Sequence, residues 1–244
     1  RGLSGSWGTL AAFTELTFKV MPRAETQETL VVSNLDDAEA GDVMARAMGS
    51  NAEVSSAAHL PESVAAKFLD GGLPEGAATV LRVEGFAPSV DYRLAKLIEA
   101  FSPMGECHRL NAQSTQVLWQ EIRDVKPFSD DTERVVWRVS VAPGDGHKLV
   151  ASLRLHAGID AYYDWQGGLV WLRMEADGEA DLVRASIRAL GSGHATMIRA
   201  SGSMRNEYPV FEPQEAPLAA LTRRLKQQFD PEFILNPGRM GIEL

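Results

Sequence analysis

Hydrophobic positions along the chain fall into short runs with a two-residue period, separated by longer stretches with a helical period. Residues 29–33, TLVVS, read as a strand, and DDAEAGDVMARAMGS reads as a helix capped at Asp36 or Asp37. AEVSSAAHL is a second strand, and Pro61 opens a short helix, PESVAAKFLD, that Gly71 and Gly72 stop. Strand ATVLRVEGF, helix VDYRLAKLIEAF and a short return strand, CHRL, complete the order β-α-β-(α)-β-α-β. From Glu133 the order recurs: strand RVVWRVSV, helix GDGHKLVASLRLH, strand DAYYDW, a turn at Gly167 and Gly168, strand LVWLRME, helix EADLVRASIRAL and strand HATMIRA. A helix from Asn111 to Arg123 joins the halves. The first segment, LAAFTELTFKV, alternates through Phe13, Leu16, Phe18 and Val20 and predicts a strand or bent strand ended by Pro22. At the other end, NEYPVFEPQEAP breaks regular structure, and PLAALTRRLKQQF predicts an amphipathic helix with Leu218, Leu221, Leu225 and Phe229 on one face.

Two βαββαβ units imply an α+β fold: ferredoxin-like halves forming an antiparallel sheet with helices on one face. At 244 residues and 45% hydrophobic, the chain can bury a large core as one or two domains. Its net charge of -9, with Lys and Arg scattered, argues against nucleic acid as a partner. Cys107 is the single cysteine, so the chain builds no internal disulfide and no multi-cysteine metal site; a reducing, cytoplasmic setting fits. No apolar run approaches the roughly 20 residues that span a bilayer, which leaves peripheral placement at an inner membrane, through partners, as the form of membrane association expected.

Chemistry is sparse. Gly5 and Gly8, with Ser6 between them, either form a turn ahead of the first strand or let backbone approach a ligand closely. In LNPGR, Asn236 offers an amide that donates and accepts, Pro237 and Gly238 fix a turn, and Arg239 carries a rigid cationic fork. His194 and Arg199 fit a strand-start histidine and a surface charge, and Trp137, Trp165 and Trp171 fit cross-strand packing. His59, His108, His147 and His156 have no metal-ligand spacing, so no metal and no catalytic residue is assigned.

The opening GSWGTLAAFTELTFKVMP and the closing FDPEFILNPGRM resemble the segments that bracket the cap domain in flavoproteins of the vanillyl-alcohol-oxidase type. Within the cap, WRVSV, YDWQGGLVWL and GHATMIRA resemble the FAD-binding subunits of bacterial glycolate oxidases. The resemblance implies three parts: residues 1–22 closing an FAD-binding domain, a cap over 23–215, and residues 216–244 returning to the FAD-binding domain. It implies that the chain is the C-terminal part of a longer protein whose glycine-rich pyrophosphate loops lie upstream, so that this part alone holds FAD weakly or not at all and is inactive. It further implies Gly5, Ser6, Gly8, Asn236 and Arg239 near FAD, a small 2-hydroxy acid as substrate, and a second flavin subunit and an iron-sulfur subunit as partners. One departure matters. Hydroxy-acid dehydrogenases of this family use a metal motif, H-x-G-D-G-N-x-H, that does not occur here, so this subunit either oxidises glycolate without it or relays electrons. A non-catalytic ferredoxin-like assembly module is the alternative.

Overall fold

The computed structural model describes residues 2–130, 132–175 and 177–241. They divide into two compact units: the chain up to Pro22 together with everything from Gly202 on, and Arg23–Ser201. The expected terminal segments include residues 1 and 242–244, which lie outside the described residues.

The larger unit runs β1 (Thr26–Ser33), α1 (Asp37–Met48), β2 (Ser56–Leu60), α2 (Glu62–Ala65), β3 (Ala78–Gly85), α3 (Ala87–Phe101), β4 (Cys107–Leu110), α4 (Ala112–Arg123), β5 (Val136–Ser140), α5 (Gly146–Arg154), β6 (Ile159–Asp164), β7 (Leu169–Met174), α6 (Ala180–Ala189) and β8 (His194–Arg199). Its start signals act as the sequence suggests. The Asp36 carboxylate accepts from the Ala38 and Glu39 amides while Glu39 reaches back to the Asp36 amide, and the Asn111 side chain accepts from Ser114 N at the start of α4.

All eight strands form one antiparallel sheet in the order β4-β1-β3-β2-β6-β7-β5-β8. Each half has the split-unit order, and the halves meet edge to edge where β2 pairs with β6 through His59 and Tyr163. Leu30 and Val32 of β1 pack with Val43 and Met44 of α1 and Leu94 and Leu97 of α3. In the second half Leu149 and Leu153 of α5 and Val183 and Ile187 of α6 are buried, and α5 touches both α1 and α6. The four repeat helices therefore share a face, as expected of two such units.

The other face is not left bare. Val31, Leu60 and Val80 pack there against Val64 of α2, Leu118 and Ile122 of α4, Phe128 and Tyr162. Leu118 and Ile122 are one helical turn apart, so α4 has its own apolar stripe to bury. Cover on both sides explains why TLVVS is buried at every position and its centre, Leu30 to Val32, does not alternate.

One expected element is missing. Residues 10–20 adopt no regular structure, and Phe13, Leu16, Phe18 and Val20 are all exposed. Alternation gives a strand its two faces, but backbone groups need a neighbour to pair with, and among the described residues every paired strand belongs to the larger unit. The smaller unit holds α7 (Gly202–Glu207) and α8 (Ala216–Phe229). On α8, Leu218, Leu221, Leu225 and Phe229 are exposed and Lys226 is the buried residue. The apolar stripe is present in sequence but is not the side that this unit buries.

Candidate functional site

The smaller unit gathers the residues singled out in the sequence. Gly5, Trp7 and Gly8 have φ of 80°, 52° and 75°, so three of four consecutive residues are left-handed. Glycine adopts that region without strain, whereas Trp7 does so at a cost that its neighbours must offset. Thr9 closes the turn, its amide and hydroxyl both donating to Ser6 O at 2.9 and 2.7 Å. In the tail, Arg239 N donates to Asn236 O at 3.1 Å, and Gly238 has φ of 76°. The two turns meet at Trp7: Asn236 Nδ2 donates to Trp7 O at 3.0 Å, and the Arg239 guanidinium lies over the Trp7 ring at 5.6 Å. Phe211 meets the same ring edge-on at 5.3 Å. A Cβ on Gly8 would stand 2.7 Å from Asn236 Nδ2, so Gly8 is required both by its φ and by this approach.

A buried lysine, passed over in the sequence, fixes the cluster from beneath. Lys226 Nζ donates to Thr9 O at 2.7 Å, to Leu235 O at 2.8 Å and to Asp230 Oδ2 at 2.6 Å, and its side chain is 1% exposed. The hydrogen bond from Lys226, against the cost of burial and with help from the Leu235 and Ile234 amides, holds the Asp230 carboxyl below the usual carboxylate range. The available signal was the four-residue spacing of Lys226 and Asp230 just before LNPG, which reads equally as a surface pair.

Several groups remain uncommitted. A Cβ on Gly5 would meet nothing within 4 Å, so the backbone there is open to close approach. Among the described residues, Asn236 Oδ1 and the Arg239 guanidinium have no hydrogen-bond or ion-pair partner. Gly5, Ser6, Thr9 and Thr222 border a cavity of about 170 Å³. Open glycine backbone, a free amide oxygen and a free cation suit an anionic, hydrogen-bonding ligand. Asn236 and Arg239 do not line that cavity, whose volume takes only part of a dinucleotide, since pockets for whole ligands run from about 300 Å³ upward.

Over 251 aligned residues the chain is 28% identical to the glycolate oxidase subunit GlcE of Escherichia coli (strain K12), across 100% of this chain and 57% of that protein. It therefore spans little more than half of that relative's length. Among solved structures, 4-ethylphenol oxidase from Gulosibacter chungangensis matches 91% of this chain and 55% of its own at TM-score 0.57 and 13% identity. p-Cresol methylhydroxylase matches 91% and 54% at TM-score 0.57 and 16% identity. Alkyldihydroxyacetonephosphate synthase matches 96% and 48% at TM-score 0.61 and 17% identity. At these identities the structural matches establish a shared fold and nothing more. No protein-family model matches the chain.

In the larger unit the remaining candidates are mostly structural. His194 is exposed at the start of β8, and Arg199 is tied to Asp130, donating to its backbone oxygen at 2.7 Å and facing its carboxylate at 3.2 Å. Trp137 is fully buried with Nε1 donating to Gly178 O at 2.8 Å, and Trp171 stacks on Tyr162 at 6.5 Å, as core and hairpin stabilisers should. Trp165 does not pack that way. It is 59% exposed because it occupies the turn itself, at φ 49°, with Arg138 over its ring at 5.3 Å.

His59, which has no metal-ligand spacing in the sequence, is fully buried at the seam between the halves. Its Nδ1 is 2.9 Å from Thr79 Oγ1, and its Nε2 faces Asp37 Oδ1 at 3.3 Å in a poorly aligned contact. Asp37 Oδ2 accepts from Tyr163 Oη and from Arg154 Nη1, each at 2.7 Å. Burial opposes the Asp37 charge, but His59, the Tyr163 hydroxyl and Arg154 together outweigh it and hold the carboxyl at about 2. Burial first, then the Asp37 charge, pushes the Tyr163 phenol up. This network latches the halves together. Among the described residues, no group of three or more His, Cys, Asp or Glu is arranged to hold a metal ion, and no helix is long and apolar enough to cross a membrane.

Proposed function

We propose that the chain is part of an FAD-dependent oxidoreductase subunit of the glycolate oxidase type, acting with a second flavin subunit and an iron-sulfur subunit on a small 2-hydroxy acid. The supporting observation is the alignment with GlcE along the whole chain, in which the two terminal segments are the ones that meet at Trp7. In this reading the segments up to Pro22 and from residue 216 complete the FAD-binding domain, and residues 23–215 serve as the cap. Gly5, Ser6 and Gly8 would offer backbone to FAD, Asn236 would hold the turn and present Oδ1, and Arg239 would supply positive charge. FAD, when bound, accepts the reducing equivalents of a CH-OH group. The cluster alone covers a fraction of such a cofactor, so flavin titration of this chain should give weak binding or none. A form of the protein extended upstream should carry flavin and reduce a dye with glycolate in the assembled complex. An extended protein that never acquires flavin sinks the proposal and leaves a non-catalytic assembly module.

A further inference from the structure

A cavity of about 590 Å³ in the larger unit opens on the sheet face that α4 covers, between that helix and the turn at Trp165. Its floor carries Arg82, level with Thr29 on β1 and Ser56 on β2. Arg82 Nε reaches Ser55 Oγ at 3.1 Å, Nη2 donates to Ser56 Oγ at 2.8 Å, and the guanidinium lies over the Trp119 ring at 5.2 Å. Trp119 is itself pinned, donating from Nε1 to Thr29 Oγ1 at 2.9 Å. The fork is thus oriented mainly by neutral partners. The nearest acid, Glu84, stands 3.7 Å from Nε, and Nη1 has no partner among the described residues.

Asp164 lines the same cavity at the end of β6. Its Oδ1 accepts from Trp165 N at 2.7 Å, and Oδ2 has no partner among the described residues. Arg82 and Asp164 form no ion pair with each other. Burial raises the Asp164 carboxyl above the usual range, outweighing the Trp165 amide and the charges of Arg82 and Arg138. Such a carboxyl readily takes a shared proton.

We infer that this cavity binds a small hydroxy-carboxylate, with the ligand's carboxylate on the free edge of Arg82 and its hydroxyl donating to Asp164 Oδ2. The reason is complementarity: an oriented cation and an uncommitted acceptor share a cavity but do not neutralise one another, and a ligand with an anionic group and a donor satisfies both. Trp119 and Trp165 wall the site, and the volume leaves room for a substituent on the carbon that bears the hydroxyl. This inference deepens the hydroxy-acid reading above and rests on it, but it concerns the larger unit alone.

The test is titration of this chain, by tryptophan fluorescence and calorimetry into the tens of millimolar, with three ligands on one carbon skeleton. D-Lactate should bind saturably, propionate at least tenfold more weakly, and propane-1,2-diol not at all. Arg82→Gln should weaken D-lactate at least tenfold, with Arg82→Lys in its place if that variant does not fold. Asp164→Ala should lower D-lactate to the level of propionate and leave propionate unchanged; if its melting temperature collapses, the lactate-to-propionate ratio of Asp164→Asn is read and should fall at least threefold. D-Lactate binding that is absent, indifferent to Arg82, or matched by the diol overturns the site. Flavin binding is scored separately: lactate binding beside an extended protein without flavin upholds the cavity and sinks the cofactor reading, and the reverse sinks the cavity alone.

Discussion

Asp37→Ala removes the acceptor on which the seam between the two halves converges. Tyr163 Oη, in a side chain 2% exposed, loses its 2.7 Å acceptor, and the buried His59 Nε2 loses the carboxylate that faces it at 3.3 Å. An orphaned buried donor costs about 1–3 kcal/mol, and His59 Nε2 is poorly aligned already, so the sum is about 2–4 kcal/mol. For a unit of this size that lowers the melting temperature by about 5–12 °C. The pH dependence has a definite sign. The folded carboxyl sits at about 2 against an ordinary 3.8, so its contribution is in place above the unfolded value and fades as pH falls towards 2. With the carboxyl 19% exposed, that contribution is about 1–2 kcal/mol after discounting for solvent. The gap between parent and Asp37→Ala should therefore narrow on acidification from pH 4 to 2, a window set by the same two values. Calorimetric melts across that range, with Tyr163→Phe and the double variant, complete the test. The single losses should exceed the double loss by about 1 kcal/mol, because both remove one hydrogen bond. A variant that melts within a degree of the parent, or strictly additive losses, would refute the idea that this network latches the halves.

The repeat order was legible because both halves announce themselves locally. The Asp36 cap, the Pro61 start and the Gly167-Gly168 turn stand where the sequence puts them. Which edges would join was not legible, since β2 and β6 meet through His59 and Tyr163, neither of which carries a pairing signal. His59 was judged by metal spacing, yet its partners come from α1, β3 and β6, far apart in sequence. The segment around Phe18 misled for a related reason: its alternation is genuine, but a strand is a property of two segments. At the terminal cluster, the glycines and LNPGR were visible as special backbone. Their meeting at Trp7 was not, because a contact over more than 200 residues, from Asn236 to Trp7, leaves no periodic trace. Lys226 was passed over because a lysine in PLAALTRRLKQQF carries no sign of burial, yet it is the buried member of α8. Arg82 and Asp164 escaped notice because each is one of several polar residues in its strand, beside Thr79 and Glu84 on β3 and Asp160 on β6, and only the register brings both to one cavity.

Three further outcomes are expected. Gly146→Ala should destabilise by at least about 2 kcal/mol through overpacking, because its Cβ would lie 2.1 Å from the Gly167 carbonyl oxygen, a backbone atom that cannot swing away. Gly144→Ala, with open space around it, should melt with the parent, and equal melting of the two variants would contradict the packing of α5 on the Gly167 turn. Tyr162→Phe removes a 2.9 Å bond to Ile122 O in the last turn of α4 and should cost about 1–1.5 kcal/mol, read by chemical denaturation; no change would mean that α4 is held by its apolar stripe alone. The last concerns the proposed cofactor contact and compares Asn236→Ala with His194→Ala in the flavin-bearing, upstream-extended protein. Asn236 bonds Trp7 O and, among the described residues, keeps a free Oδ1 beside an Arg239 that has no ion-pair partner, whereas His194 is an exposed strand-start residue. The bond is exposed, so its loss costs about 0.5–1.5 kcal/mol, a loosening of a few-fold to about tenfold. Flavin retained after dialysis should fall in Asn236→Ala and hold in His194→Ala. Full retention in Asn236→Ala beside a His194→Ala protein that no longer reduces dye with glycolate would move the reacting centre from the tail to the start of β8.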